Sequence, residues 1–81
     1  MDVFFYGRLA ERIGRQVRID VPAAGCSVAD LRQLIAGKYP EVETEILGSR
    51  VRACVEDTVA PDAYLIGAGQ RVEFFPPVSG G

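Results

Sequence analysis

The stretch "SVADLRQLIAGKYP", residues 27–40, is the one long segment with helical periodicity. Val28, Leu31, Leu34 and Ile35 mark its apolar face. Ser27 stands where an N-cap belongs, and Asp30 completes a capping-box pattern with the shorter acid. Cys26 and Leu31 occupy the positions of a hydrophobic staple, and Pro40 stops the helix. The other apolar runs read as strands. One helix covers only one face of a sheet, so the pattern predicts an α+β fold. The expected architecture is a mixed four- to five-stranded sheet with one main helix across one face. At 81 residues there is room for one domain. A domain of this size buries only about 60–65% of its unfolded surface, which leaves little space for a deep private active site.

"DVFFYGR" (2–8) reads as a strand that is apolar on both parities, with Val3 and Phe5 opposite Phe4 and Tyr6. "LAERIG" (9–14) reads as a short connection. "QVRIDVP" (16–22) alternates, with Val17, Ile19 and Val21 inward. Residues 41–49 read as a turn or short helical piece. "VRACVED" (51–57) is a strand with Val51, Ala53 and Val55 on one side. "AYLI" (63–66) is a candidate short strand, and "GAG" (67–69) a turn. In "QRVEFFP" (70–76), Val72 and Phe74 face one way and Arg71, Glu73 and Phe75 the other. If the first and last strands are central parallel neighbours, the arrangement is a β-grasp.

Charge and composition exclude several function classes. The net charge is −2 and no basic patch is visible, so nucleic acid is not expected as a partner. No apolar run reaches the roughly 20 residues that cross a bilayer, and no signal pattern opens the chain, so it is expected to be cytoplasmic. The chain has no histidine, hence neither the commonest general base nor the commonest metal ligand. No metal site and no bound cofactor are expected. Cys26 and Cys54 lack a CxxC partner and read as structural or incidental. "GAGQ" lacks the strand–GxGxxG–helix context and reads as a turn. Glu41, Glu43 and Glu45 read as a solvated surface that could also meet a basic partner.

Two features carry functional information. The first is the tail of "FFPPVSGG" (74–81). Pro76 and Pro77 favour an extended backbone that aims the last residues away from the sheet. "VSGG" spans at most roughly 13–14 Å, at about 3.3–3.6 Å per residue. Gly80 and Gly81 are slender enough to pass a narrow channel, which leaves the terminal carboxylate as the reactive group. A carboxylate needs activation, and the chain has no GxxxxGK[ST] loop to hold ATP. The competing reading is a frayed terminus. The second feature is the outward aromatic set Phe4, Tyr6 and Phe75, with Val59 as a possible member. It reads as an interface, unless segments 9–15 or 41–49 fold over it. The expected division is a domain over 1–76 and an extended, flexible diglycine tail over 77–81.

"VFFYGRLAERIG", "SVADLRQLI" and "VEFFPPVSGG" together resemble the small subunit of molybdopterin synthase, over essentially the whole chain. That resemblance implies the ubiquitin-like β-grasp fold and a sulfur carrier, not catalytic alone. It implies that Gly81 is adenylated by an ATP-using activating enzyme related to ubiquitin-activating enzymes, then converted to a thiocarboxylate. Gly80 and Gly81 then enter the large subunit, in an expected heterotetramer of two small and two large subunits. There the sulfur passes to cyclic pyranopterin monophosphate to build the dithiolene. Tyr6, Val59 and Phe75, with Pro76 and Pro77 leading into the tail, are the implied partner contacts. The chain departs from the family where Gln70 and Arg71 replace frequent acidic residues, and where Glu56 replaces a frequent asparagine. These departures bear on which partner is met. Rival readings are a carrier for thiamine, cysteine or tRNA thiolation, a ubiquitin-like modifier joined through Gly81 to lysines, and a plain interaction domain.

Overall fold

In a computed structural model, residues 1–76 are described. The expected tail, 77–81, with Pro77, Gly80 and Gly81, lies outside the described residues.

The hydrophobic first strand, β1 (Asp2–Phe5), pairs in parallel with the last, β7 (Val72–Phe75), in the register Val3↔Val72 and Phe5↔Phe74. β2 (Gln16–Arg18) flanks β1, and β4 (Arg52–Val55) flanks β7, both antiparallel. β5 (Thr58–Ala60) pairs with β4 and completes a five-stranded sheet of order β2-β1-β7-β4-β5. The two central strands are therefore the two ends of the described chain, and the fold is a ubiquitin-like β-grasp of the α+β class. α2 (Val28–Lys38) is the main helix. Ser27 caps it as expected, its Oγ accepting the Asp30 N–H at 3.0 Å. Val3, Phe5, Val72 and Phe74 are buried with Val28, Leu31 and Ile35 in one core.

Five local expectations need correction. Residues 7–13 form a helix, α1 (Gly7–Ile13), rather than a strand end and a connection. Leu9 is its only buried residue, so seven residues show too little periodicity to read as helical. Leu34 is 38% exposed, whereas Arg32 and Ala36 are buried. At 3.6 residues per turn the buried positions 28, 31, 32, 35 and 36 span an arc of about 140°, and position 34 lies about 60° beyond it. β5 was not visible in the pattern. Its hairpin turns at Glu56 and Asp57, both left-handed at φ 51° and 68°, without the glycine that usually marks such turns. β6 (Leu65–Ile66) pairs with β3 (Cys26–Ser27) as a separate two-stranded ribbon, outside the main sheet. Finally, the strands over 16–22 and 51–57 are shorter than expected. Their alternation survives: Val17, Ile19, Val51, Ala53 and Val55 are buried. Segment 41–49 holds a 3₁₀ turn (Pro40–Val42) and α3 (Glu43–Leu47), with Val42 and Ile46 fully buried.

Arg32 ties these parts together. Its guanidinium donates to the Ile46 and Val51 carbonyls at 2.7 Å each and to Asp62 Oδ1 at 2.9 Å. It also lies 5.3 Å from the Phe74 ring centroid. One side chain thus joins α2, α3, the segment that follows α3 and the loop before β6.

Candidate functional site

The sheet face away from α2 is set by strand parity. The register places Phe4, Glu73, Cys54 and Val59 in one row across β1, β7, β4 and β5. Phe75 lies two residues along β7 on the same face. Tyr6 follows β1 directly, and its ring stacks on Phe75 with centroids 4.6 Å apart and planes parallel. Such a pair contributes on the order of 0.5–1.5 kcal/mol beyond its buried area. Tyr6 is 38% and Val59 57% exposed, and Phe75 is half-buried. The segments that could have covered this face turn inward instead: Leu9 of α1 and Ile46 of α3 belong to the core.

Pro76 leads off β7 beside Gly7. Gly7 has φ +64°, and a Cβ there would come 2.7 Å from Pro76 Cγ. The first proline is thus seated by a residue that only glycine suits. Pro76 also lines a groove with Leu9, Thr44, Gly48 and Val51, flanked by Arg8 and Arg50. Root and aromatic pair share one end of β7. Of the predicted site residues, Tyr6, Phe75, Val59 and Pro76 lie within the described residues; Pro77, Gly80 and Gly81 lie outside them.

Parity places Glu73 outward, where a glutamate reads as solvated. It is buried instead. The Tyr6 hydroxyl donates to its Oε2 at 2.5 Å, and Arg71 Nη2 lies 3.7 Å from the same oxygen. The Tyr6 hydroxyl is held above its ordinary pKa, mainly by that bond to Glu73 and then by burial, with Arg71 opposing. Arg71 stacks over Phe4, its guanidinium carbon 4.0 Å from the ring centroid. Positions 56 and 71 are bonded to each other, whereas Gln70 bonds within its own turn. The Arg71 N–H donates to Glu56 Oε1, the Glu56 N–H to the Arg71 carbonyl, and the Gly67 N–H to Gln70 Oε1. They brace the two loops at the far end of β7. Burial, then Glu73 and Asp57, push the Cys54 thiol upward, which suppresses its thiolate.

The sequence profile of the ThiS family matches residues 3–81. The chain belongs to the ThiS family. It is similar to the molybdopterin synthase sulfur carrier subunit of Mycobacterium tuberculosis, 29% identical over all of this chain and 96% of that one. It is also similar to SAMP1 of Haloferax volcanii, with 28% identity, a TM-score of 0.84, and coverage of 99% of this chain and 97% of that one. A third likeness is to a complex of subunits 1 and 2 of molybdopterin-converting factor from Helicobacter pylori. There the TM-score is 0.64 at 17% identity, covering 99% and 96% of the two chains, a likeness of fold.

Proposed function

We propose that this ThiS-family chain is the sulfur-carrier subunit of a molybdopterin synthase. The observation that carries the reading is the continuity of β7. It runs from the buried Phe74 through Phe75, stacked under Tyr6, to Pro76 and the root of the tail. Docking by that face fixes where the tail begins. The Gly81 carboxylate is activated by a separate enzyme that holds ATP. Its oxygen attacks the α-phosphate, pyrophosphate leaves, and the carbonyl carbon becomes electrophilic. Hydrosulfide released by the sulfur donor then displaces AMP and leaves a thiocarboxylate. Pro77 and Gly80 carry that sulfur into the large subunit, where it is donated to cyclic pyranopterin monophosphate. The gain is positional: a tethered nucleophile acts at high effective concentration. The chain itself binds no cofactor and works in the cytoplasm as part of a two-small, two-large assembly. Among the described residues, no helix is long and apolar enough to cross a membrane.

The test is reconstitution with the large subunit, the activating enzyme and a sulfur donor. Deleting Gly81 is expected to abolish sulfur transfer while docking persists. Equal transfer without Gly81 contradicts the reading. The likeness to SAMP1, small archaeal modifier protein 1, favours a second reading, conjugation to other proteins. Immunoblots of native extract separate the two: a single small band means a carrier, a ladder a modifier.

A further inference from the structure

Glu73 is a polar group that an apolar docking face does not by itself require. It sits in the central strand, 7% exposed, yet points away from the core. A carboxylate in such a place persists only when partnered. Its Oε2 takes the Tyr6 hydroxyl at 2.5 Å and faces Arg71 at 3.7 Å. Tyr6 lies past the end of β1, so no strand pairing fixes its ring. Among the described residues its hydroxyl donates to Glu73, and the ring lies flat on Phe75.

We propose that Glu73 is a positioning residue: it holds the Tyr6 ring on Phe75 and so pre-forms the contact that the large subunit receives. This rests on the reading of Tyr6 and Phe75 as synthase contacts. A ring free in solution must be ordered on docking, which lowers affinity, whereas a ring already held need not be. Arg71 already faces the Glu73 charge, so that carboxylate needs no cation from the partner. Arg71 is spread over Phe4 by the same network, which keeps Phe4 only half-exposed.

The test compares Glu73→Leu, which removes the acceptor, with Glu73→Gln, which keeps an amide oxygen for the Tyr6 hydroxyl. Tyr6→Phe removes the hydroxyl and keeps the ring. Two readouts are taken on the full chain. Ring-proton NMR shifts of Tyr6 and Phe75 in the free protein report the stack. Calorimetric titration with its own organism's large subunit reports docking. In Glu73→Leu and Tyr6→Phe the upfield ring shifts are expected to collapse and Kd to rise about tenfold, the loss of one charge-assisted hydrogen bond. Glu73→Gln is expected to keep the shifts and to bind within about threefold of wild type. Unchanged ring shifts in Glu73→Leu overturn the proposal. So do lost shifts with unchanged Kd, or a Glu73→Gln variant as weak as Glu73→Leu. Failure of the wild type to bind overturns the synthase reading and the docking half of this proposal, while the ring shifts still decide whether Glu73 holds the stack.

Discussion

Arg32→Met tests the account of the core. Arg32 is 8% exposed, and its guanidinium is the partner of the Ile46 and Val51 carbonyls at 2.7 Å each. A hydrogen bond from a charged donor contributes on the order of 1.5–3 kcal/mol. Methionine restores the apolar stem but supplies no donor, so the two carbonyls lose their partner. The net loss is expected at about 3–6 kcal/mol, two such bonds with both acceptors left buried. At roughly 0.05–0.15 kcal/mol per residue, a chain of this length holds about 4–12 kcal/mol in all. The variant therefore sits near the edge of folding. Its Tm falls by at least about 12 °C, from roughly 4–8 °C per kcal/mol for a domain this size. Asp62, the third hydrogen-bond partner, has a side chain 65% exposed. Asp62→Ala is expected to lose under about 1 kcal/mol, as exposed ion pairs do. Thermal and urea unfolding followed by circular dichroism measure both. An Arg32→Met variant melting within about 4 °C of wild type refutes the reasoning. So does an Asp62→Ala variant as damaged as Arg32→Met, since the ion pair rather than the carbonyls would then hold the network.

Three further outcomes are expected. Phe75→Asp abolishes docking to the large subunit, since it puts a charge into the stacked pair, but leaves the circular dichroism spectrum and cooperative unfolding intact; an unfolded variant means Phe75 supports the core. Gly7→Ala forces a side chain into a left-handed turn and against Pro76, so stability falls by about 1–2 kcal/mol in urea unfolding, and an unchanged midpoint contradicts the seat described for Pro76. Because the folded state raises the Tyr6 pKa above its ordinary 10.0, that residue's contribution is full below pH 10.0 and is lost as pH climbs through the raised value. Tyr6→Phe should flatten this alkaline decline in stability measured across that range, and an identical decline in both proteins means the titration lies elsewhere.

How much of this was legible depended on where the information sat. Strand parity carried the core: Val3, Phe5, Val72 and Phe74 face inward, Phe75 outward, and β1 and β7 are the expected parallel centre. Local capping chemistry carried α2 through Ser27. Short elements escaped, because α1 and β5 hold fewer than two full repeats of the pattern that would reveal them. Polar residues with distant partners escaped most completely. Arg32 reads as a solvated helix residue until Ile46 and Val51 are placed beside it. Glu73 reads as the wet side of a strand until Tyr6, 67 positions earlier, folds over it. Parity states which face a side chain takes, and only the tertiary fold states what meets it there. The outward placement of Tyr6, Phe75 and Val59 was legible for the same reason as the core, since strand parity sets which side of the sheet each takes.

The intact mass of the full chain tests the central claim most directly. It is measured after incubation with ATP, a sulfur donor and the activating enzyme of the same organism. The account predicts the exchange of one oxygen for one sulfur, localised to Gly81 by fragmentation. An unchanged mass, in a mixture that converts another sulfur carrier, contradicts it.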